Sequence, residues 1–185
     1  MRNVLPDVIA AQTVNNPSQI VVNSKGQITS LSNSAGSTDI VAWMRDTGPS
    51  TTAAQSINAT TETVLRLTNT TTVTWLSLAS NVFTVAAGTY EIDAVVPWYV
   101  PSGTVNPVTV LLYDETASAV LATSSDQQGT DDDQGWIPLK AVFTVAVETQ
   151  LSLRIFSTIA ITIGDPVGNG YDETFTQVLL RRLGA

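Results

Sequence analysis

The sequence predicts an antiparallel β-sandwich preceded by an extended N-terminal arm, and three observations carry that prediction. Tyr90, Ile92, Ala94, Val96, Trp98 and Val100 stand at every second position, with Glu91 and Asp93 on the opposite parity. Such alternation belongs to a strand with one buried and one wet face. From residue 61 onward, short β-branched or aromatic runs recur between turn signals, about nine strands in all, the spacing of a sandwich or barrel. The composition agrees: 43% of residues are hydrophobic but only 13% charged, about half the charge share of an average soluble domain.

Residues 1–60 form the arm and its linker, and residues 61–185 the sandwich. The arm sets short apolar pieces, Val8-Ile9-Ala10 and Ile20-Val21-Val22, among Asn and Ser, with Asn23-Ser24-Lys25-Gly26 as a turn before Gln27-Ile28. Composition alone also suits a disordered tail. The repeated β-branched pairs favour an arm that adds strands to a neighbour, through Val8, Ile9, Ile20, Val21, Val22 and Ile28. The apolar knot Val41-Ala42-Trp43-Met44 reads as a plug against the domain, and Gly48-Pro49-Ser50 as a linker.

Within the sandwich, residues 63–68 (TVLRLT) and 72–78 (TVTWLSL) flank the turn Asn69-Thr70-Thr71. Residues 81–100 read as one hairpin, with Phe83 and Val85 on a short strand, a turn at Gly88, and a long strand to Val100. Residues 108–113 (VTVLLY) and 119–123 (AVLAT) pair around Asp114-Glu115-Thr116. Residues 136–147 and 151–163 follow, both alternating, and residues 173–183 end the series. In this last strand Phe175, Val178, Leu179, Leu180 and Leu183 are apolar on both parities, which predicts cover on both faces and hence a subunit interface.

Composition also excludes functions. Net charge is −8, with eight Lys and Arg residues against sixteen Asp and Glu, so no basic patch meets a phosphate backbone or an anionic membrane. Histidine and cysteine are absent, which removes the usual general base and metal ligand, and any disulfide. No apolar run of 18 residues predicts a membrane span, and the start MRNVLPDVIAA carries no export signal. A soluble chain is expected.

Phe83, Gly88 and Tyr90, in FTVAAGTYEIDAVV, match a Phe-x-x-x-x-Gly-x-Tyr hairpin, and residues 170–180 (GYDETFTQVLL) match a closing strand. In both, residues 60–183 resemble the C1q/tumour-necrosis-factor-like jelly rolls. The resemblance implies a jelly-roll β-sandwich packed as a homotrimer, with the last strand near the three-fold interface, and so places Tyr90, Phe175, Val178, Leu180 and Arg181 there. IVVNSKGQITSL is similar to segments that precede the head domains of bacteriophage tail fibres, head fibres and capsid decoration proteins. Together these imply a virion surface protein: a trimeric decoration (cement) protein whose arm binds the major capsid protein. The alternative is a fibre head that recognises a host receptor or glycan.

Candidate chemistry is sparse. Asp126 and Asp131-Asp132-Asp133 crowd one loop and could hold Ca²⁺ through hard oxygen ligands, but without the closing glutamate of an EF-hand a solvated loop is the plainer reading. Asp165, Asp172 and Glu173 are a weaker group of the same kind. Glu91, Asp93, Asp114 and Glu115 would have to converge across a sugar cleft to act as glycosidase carboxylates. No Gly-x-Ser-x-Gly elbow or phosphate loop is present. The expectation is a protein that is not an enzyme. Trp98 and Tyr99 fit either core packing or an exposed aromatic patch.

Overall fold

The computed structural model describes residues 19–22, 28–32, 40–49, 55–165 and 171–184. The chain divides into two units, Met1–Thr38 and Asp39–Ala185. In the first, β1 (Gln19–Val22) pairs antiparallel with β2 (Ile28–Ser32), from Gln19 opposite Ser32 to Val22 opposite Ile28. Ile20, Val21, Val22 and Ile28 therefore belong to a two-stranded ribbon, while Val8 and Ile9 lie outside the described residues.

The second unit begins with β3 (Val41–Gly48), β4 (Ser56–Ile57), β5 (Thr63–Val64) and β6 (Asn69–Thr70), then β7 (Leu76–Ala79) and β8 (Val82–Val85). The long β9 (Gly88–Val100) and β10 (Val105–Asp114) follow, then β11 (Ala119–Thr123) and β12 (Gln127–Gly129). The series ends with β13 (Asp133–Val145), β14 (Thr149–Ser157), β15 (Ile161–Thr162) and β16 (Glu173–Gly184). No helix occurs among the described residues.

These strands make two seven-stranded antiparallel sheets. The first runs β13-β9-β16-β3-β6, with β15 and β4 alongside; the second runs β11-β10-β14-β8-β7, with β5 on β14 and β12 on β10. The core lies between them. Tyr90, Ile92, Ala94, Val96, Trp98 and Val100 point inward as their parity requires, with Ile137, Leu139, Val178, Leu180 and Met44 of the same sheet. Val108, Val110, Leu112, Leu151, Leu153, Ile155 and Phe83 meet them from the other. Tyr90 is the largest fully buried side chain. Its ring stacks on Phe143 at 5.6 Å, meets Trp75 at 5.5 Å, and its hydroxyl donates to the Ala86 carbonyl at 2.7 Å.

Three expectations change. Residues 81–100 are not a hairpin: β8 pairs with β7 and β14, whereas β9 pairs with β13 and β16. The Ala86-Ala87 link carries the chain from one sheet to the other, so strands adjacent in sequence are partners of remote ones. Likewise the runs 63–68 and 72–78 do not pair with each other; β5, β6 and β7 go to three different neighbours. The knot at 41–44 is a sheet strand, not a plug. Ala42 and Met44 face the core and β3 runs beside β16, so the compact unit starts at Asp39 rather than at residue 61.

The β10–β11 hairpin forms as the sequence indicates, its turn held by Asp114 accepting from the Thr116 and Ala117 amides at 2.8 Å. Next to it, Arg154 lies 3.5 Å over the Tyr113 ring and grips Glu115 through Nη2 at 2.9 and 3.0 Å, with Glu62 at 3.2 Å. Partial burial pushes the Glu115 carboxyl pKa up. Hydrogen bonds from Ser152 and Arg154, and the Arg154 charge, outweigh that and hold it below the ordinary value. The folded-state pKa is thus below the unfolded one of about 4.3. The stabilisation is present above that pH and is lost as pH falls through the folded value. Glu115→Gln is therefore expected to lower the urea midpoint at pH 7 and to flatten the acid limb of the stability curve below about pH 4. An acid limb identical to that of the parent chain would remove Glu115 from this role.

Candidate functional site

The pleat of the first sheet puts every second residue of β13, β9, β16 and β3 on the face away from the core. The register aligns these residues in rows: Lys140, Asp93, Leu179 and Trp43 in one, then Val142, Glu91, Arg181 and Val41, then Pro138, Val95, Gln177 and Arg45. Trp43 is 47% exposed and Val142 64%, large apolar groups left open among the described residues. Trp43, Asp93, Val95, Gln177 and Leu179 line a shallow groove of 220 Å³.

Both acids of the central rows are paired within the chain, while exposed Arg45 adds a further positive charge at the edge. Lys140 Nζ lies 2.7 Å from Asp93, and Arg181 Nη1 3.0 Å from Glu91. The hydrogen bond to Asp93, with the charge beside it, raises the Lys140 pKa. Both pairs are exposed and add little to folding stability. Their consequence is that Asp93 and Glu91 carry no uncompensated negative charge on this face, in a chain of net charge −8.

Four of the sequence-predicted interface residues point the other way. Tyr90, Val178 and Leu180 are fully buried and Phe175 nearly so, all in the chain's own core. Arg181 does reach the outer face, but its partner is Glu91 of the same chain. The outward parity of β16 is that of Leu179, Arg181 and Leu183, and Trp43 and Val95 lie beside it on neighbouring strands.

The acidic loop is tied to its own backbone and side chains. Asp131 accepts from the Gly103 amide, Asp132 from the Tyr99 hydroxyl at 2.9 Å, and Asp126 from the Thr109 hydroxyl at 2.6 Å. Asp131, Asp132 and Asp133 do not converge, and among the described residues no three acidic side chains are grouped as metal ligands. Of the candidate glycosidase carboxylates, Glu91 and Asp93 are ion-paired outward, Asp114 caps a turn, and Glu115 is held by Arg154 on the other sheet.

A second concavity, of 290 Å³, opens where β9 ends and β13 and β16 begin, lined by Pro97, Trp98, Gln134, Gly135, Trp136, Gly164, Asp165, Glu173, Thr174 and Phe175. Trp98 is a core residue at 3% exposure, yet its indole N–H has no hydrogen-bond partner. Its ring passes so close to Gly135 that a Cβ there would lie 2.9 Å from the indole nitrogen. Gly164, at φ +73°, adopts a left-handed conformation that L side chains rarely adopt, and a Cβ there would meet Phe175 at 2.7 Å. The walls are thus fixed by packing.

No protein-family model matches the chain, and no curated protein matches it. Among solved structures, Eiger TNF of S. frugiperda superposes with a TM-score of 0.51 at 12% identity, over 79% of this chain and 94% of that one. The globular domain of zebrafish complement 1qA gives 0.48 at 13% identity, over 78% and 98%. Murine APRIL at pH 5.0 gives 0.49 at 13%, over 76% and 97%. The Eiger likeness shows the fold. The chain forms a C1q/TNF-like jelly roll.

Proposed function

We propose that the chain is a homotrimeric structural module without catalytic activity, carried on a virion as a capsid decoration protein. The observation that carries the assembly half is the outer face of the first sheet. It joins exposed Trp43, Val142 and Leu183 to half-buried Val95 and Leu179 on a surface whose acids Asp93 and Glu91 are paired with Lys140 and Arg181. In a chain of net charge −8, two paired acids beside exposed Arg45 let this face approach a second copy without like-charge repulsion between free carboxylates. Trp and Arg at a patch centre are also the residue types that interfaces favour. The three-fold packing is taken from the resemblance to C1q/tumour-necrosis-factor-like jelly rolls, with which the fold agrees.

The decoration half rests on the arm's resemblance to phage appendage segments and on a ribbon, Gln19–Val22 with Ile28–Ser32, that can add its edges to a capsid subunit. The test is light scattering and capsid binding of the full chain against a chain lacking residues 1–38, a deletion that spares β3. The expected outcome is a trimer in both, with capsid binding only in the full chain. A truncated chain that still decorates shells would overturn the capsid role, and a monomer in both would overturn the assembly.

A further inference from the structure

We propose that the concavity at the β9–β13–β16 end of the first sheet binds a small saccharide, of one or two sugar rings. Trp136 stands 57% exposed at this cavity, a flat apolar platform on which the C–H face of a sugar can lie. Around it are the Gln134 amide and the Asp165 and Glu173 carboxylates, groups that together accept and donate to ring hydroxyls. The buried, unpartnered indole N–H of Trp98 belongs to the same wall, and such a group is an exception that native structures seldom leave unexplained.

The lining also says what does not fit. Among the described residues no Lys or Arg lines the cavity, so the only charges an anionic ligand meets there are carboxylates. Trp136 alone among the lining aromatics is exposed, since Trp98 and Phe175 are 3% exposed; that is a platform rather than a cage for an ammonium group. Two carboxylates disfavour a purely apolar ligand. At 290 Å³ the cavity sits at the small end of ligand pockets, roughly 300–1,000 Å³, which limits the ligand to one or two rings. The walls are preformed by the close packing at Gly135 and Gly164, so little ordering opposes binding.

The test uses the full chain and the methyl glycosides of glucose, galactose and mannose, with N,N′-diacetylchitobiose, followed through the indole N–H signals in two-dimensional NMR. With at least one probe, the Trp98 and Trp136 signals are expected to move saturably while Trp43 and Trp75 stay still. Trp136→Ala and Asp165→Asn should each weaken that probe by about tenfold or more, with unchanged melting temperature and solution mass. If no probe moves either signal up to about 10 mM, or if both variants bind as well as the parent, the saccharide site is overturned. If Trp136→Ala instead lowers the solution mass, Trp136 belongs to a contact between copies. Light scattering on the same samples reads the assembly independently, so failure of the saccharide site and failure of the trimer are told apart.

Discussion

Leu179→Asp is expected to reduce the solution mass to one third of that of the parent chain without unfolding it. Leu179 lies in the outer row between Asp93 and Trp43 and lines the groove beside Val95. A carboxylate there would be desolvated by a second copy and would stand beside an existing acid, Asp93. Central interface positions typically cost about 2–4 kcal/mol when disrupted, and the proposed three-fold symmetry would repeat the loss at each contact. The side chain faces away from the core, so the melting temperature of the monomer should reflect only the lost assembly. Val120→Asp is the control: Val120 is also exposed, but on β11 of the other sheet, and its variant should keep the parent mass. A Leu179→Asp chain that remains trimeric would remove the outer face of the first sheet as the interface.

Tyr90→Ala is expected to lose about 3–5 kcal/mol of folding stability, the range for deleting a fully buried aromatic. The loss would show as a lower urea midpoint with little change of slope. The ring fills the middle of the sandwich between Trp75 and Phe143, and no solvent reaches it. Tyr90→Phe separates the two contributions. It keeps the ring but leaves the Ala86 carbonyl without its donor, and about 1–2 kcal/mol should go. If alanine cost no more than phenylalanine, the stacking would contribute nothing measurable, and the account of the core would be wrong at its centre. A domain of this size has about 5–15 kcal/mol in total, so Tyr90→Ala is a large share of it.

Much of the fold could be read from single strands. The parity of β9 holds from Tyr90 to Val100 with only Pro97 buried on the outer side, and the alternation of β13 and the β10–β11 turn are equally direct, because each depends on residues close in sequence. Pairing does not. Nothing between Phe83 and Tyr90 distinguishes a hairpin turn from a link that crosses the sandwich, since both need only a short bend; the difference is set by β14 and β16, far along the chain. The same reason hid β3. Four residues, Val41 to Met44, look like a plug until all eight positions of Val41–Gly48 are laid against β16, after which Ala42 and Met44 fall inward and Trp43 outward. The candidate interface was half legible: two apolar parities on the last strand pointed to an apolar outer face, but not which parity was the outer one. Of the proposed saccharide cavity the sequence offered only Asp165 with Glu173, and Trp98; Pro97, Gln134 and Trp136 come from separate segments that only the fold brings together.

Strand β16 lies in the middle of its sheet, hydrogen-bonded to β9 on one side and to β3 on the other. During synthesis, β3 and β9 emerge long before the strand that joins them, and until residues 173–184 leave the ribosome both present bare edges. A nascent chain of this topology cannot acquire its structure piece by piece from the N-terminus. It closes late, in one step, through pairings of high sequence separation, and such pairings fold slowly. Lower expression temperature and added chaperone are therefore expected to raise the yield of this protein, because the time spent with open edges is when chains join one another wrongly.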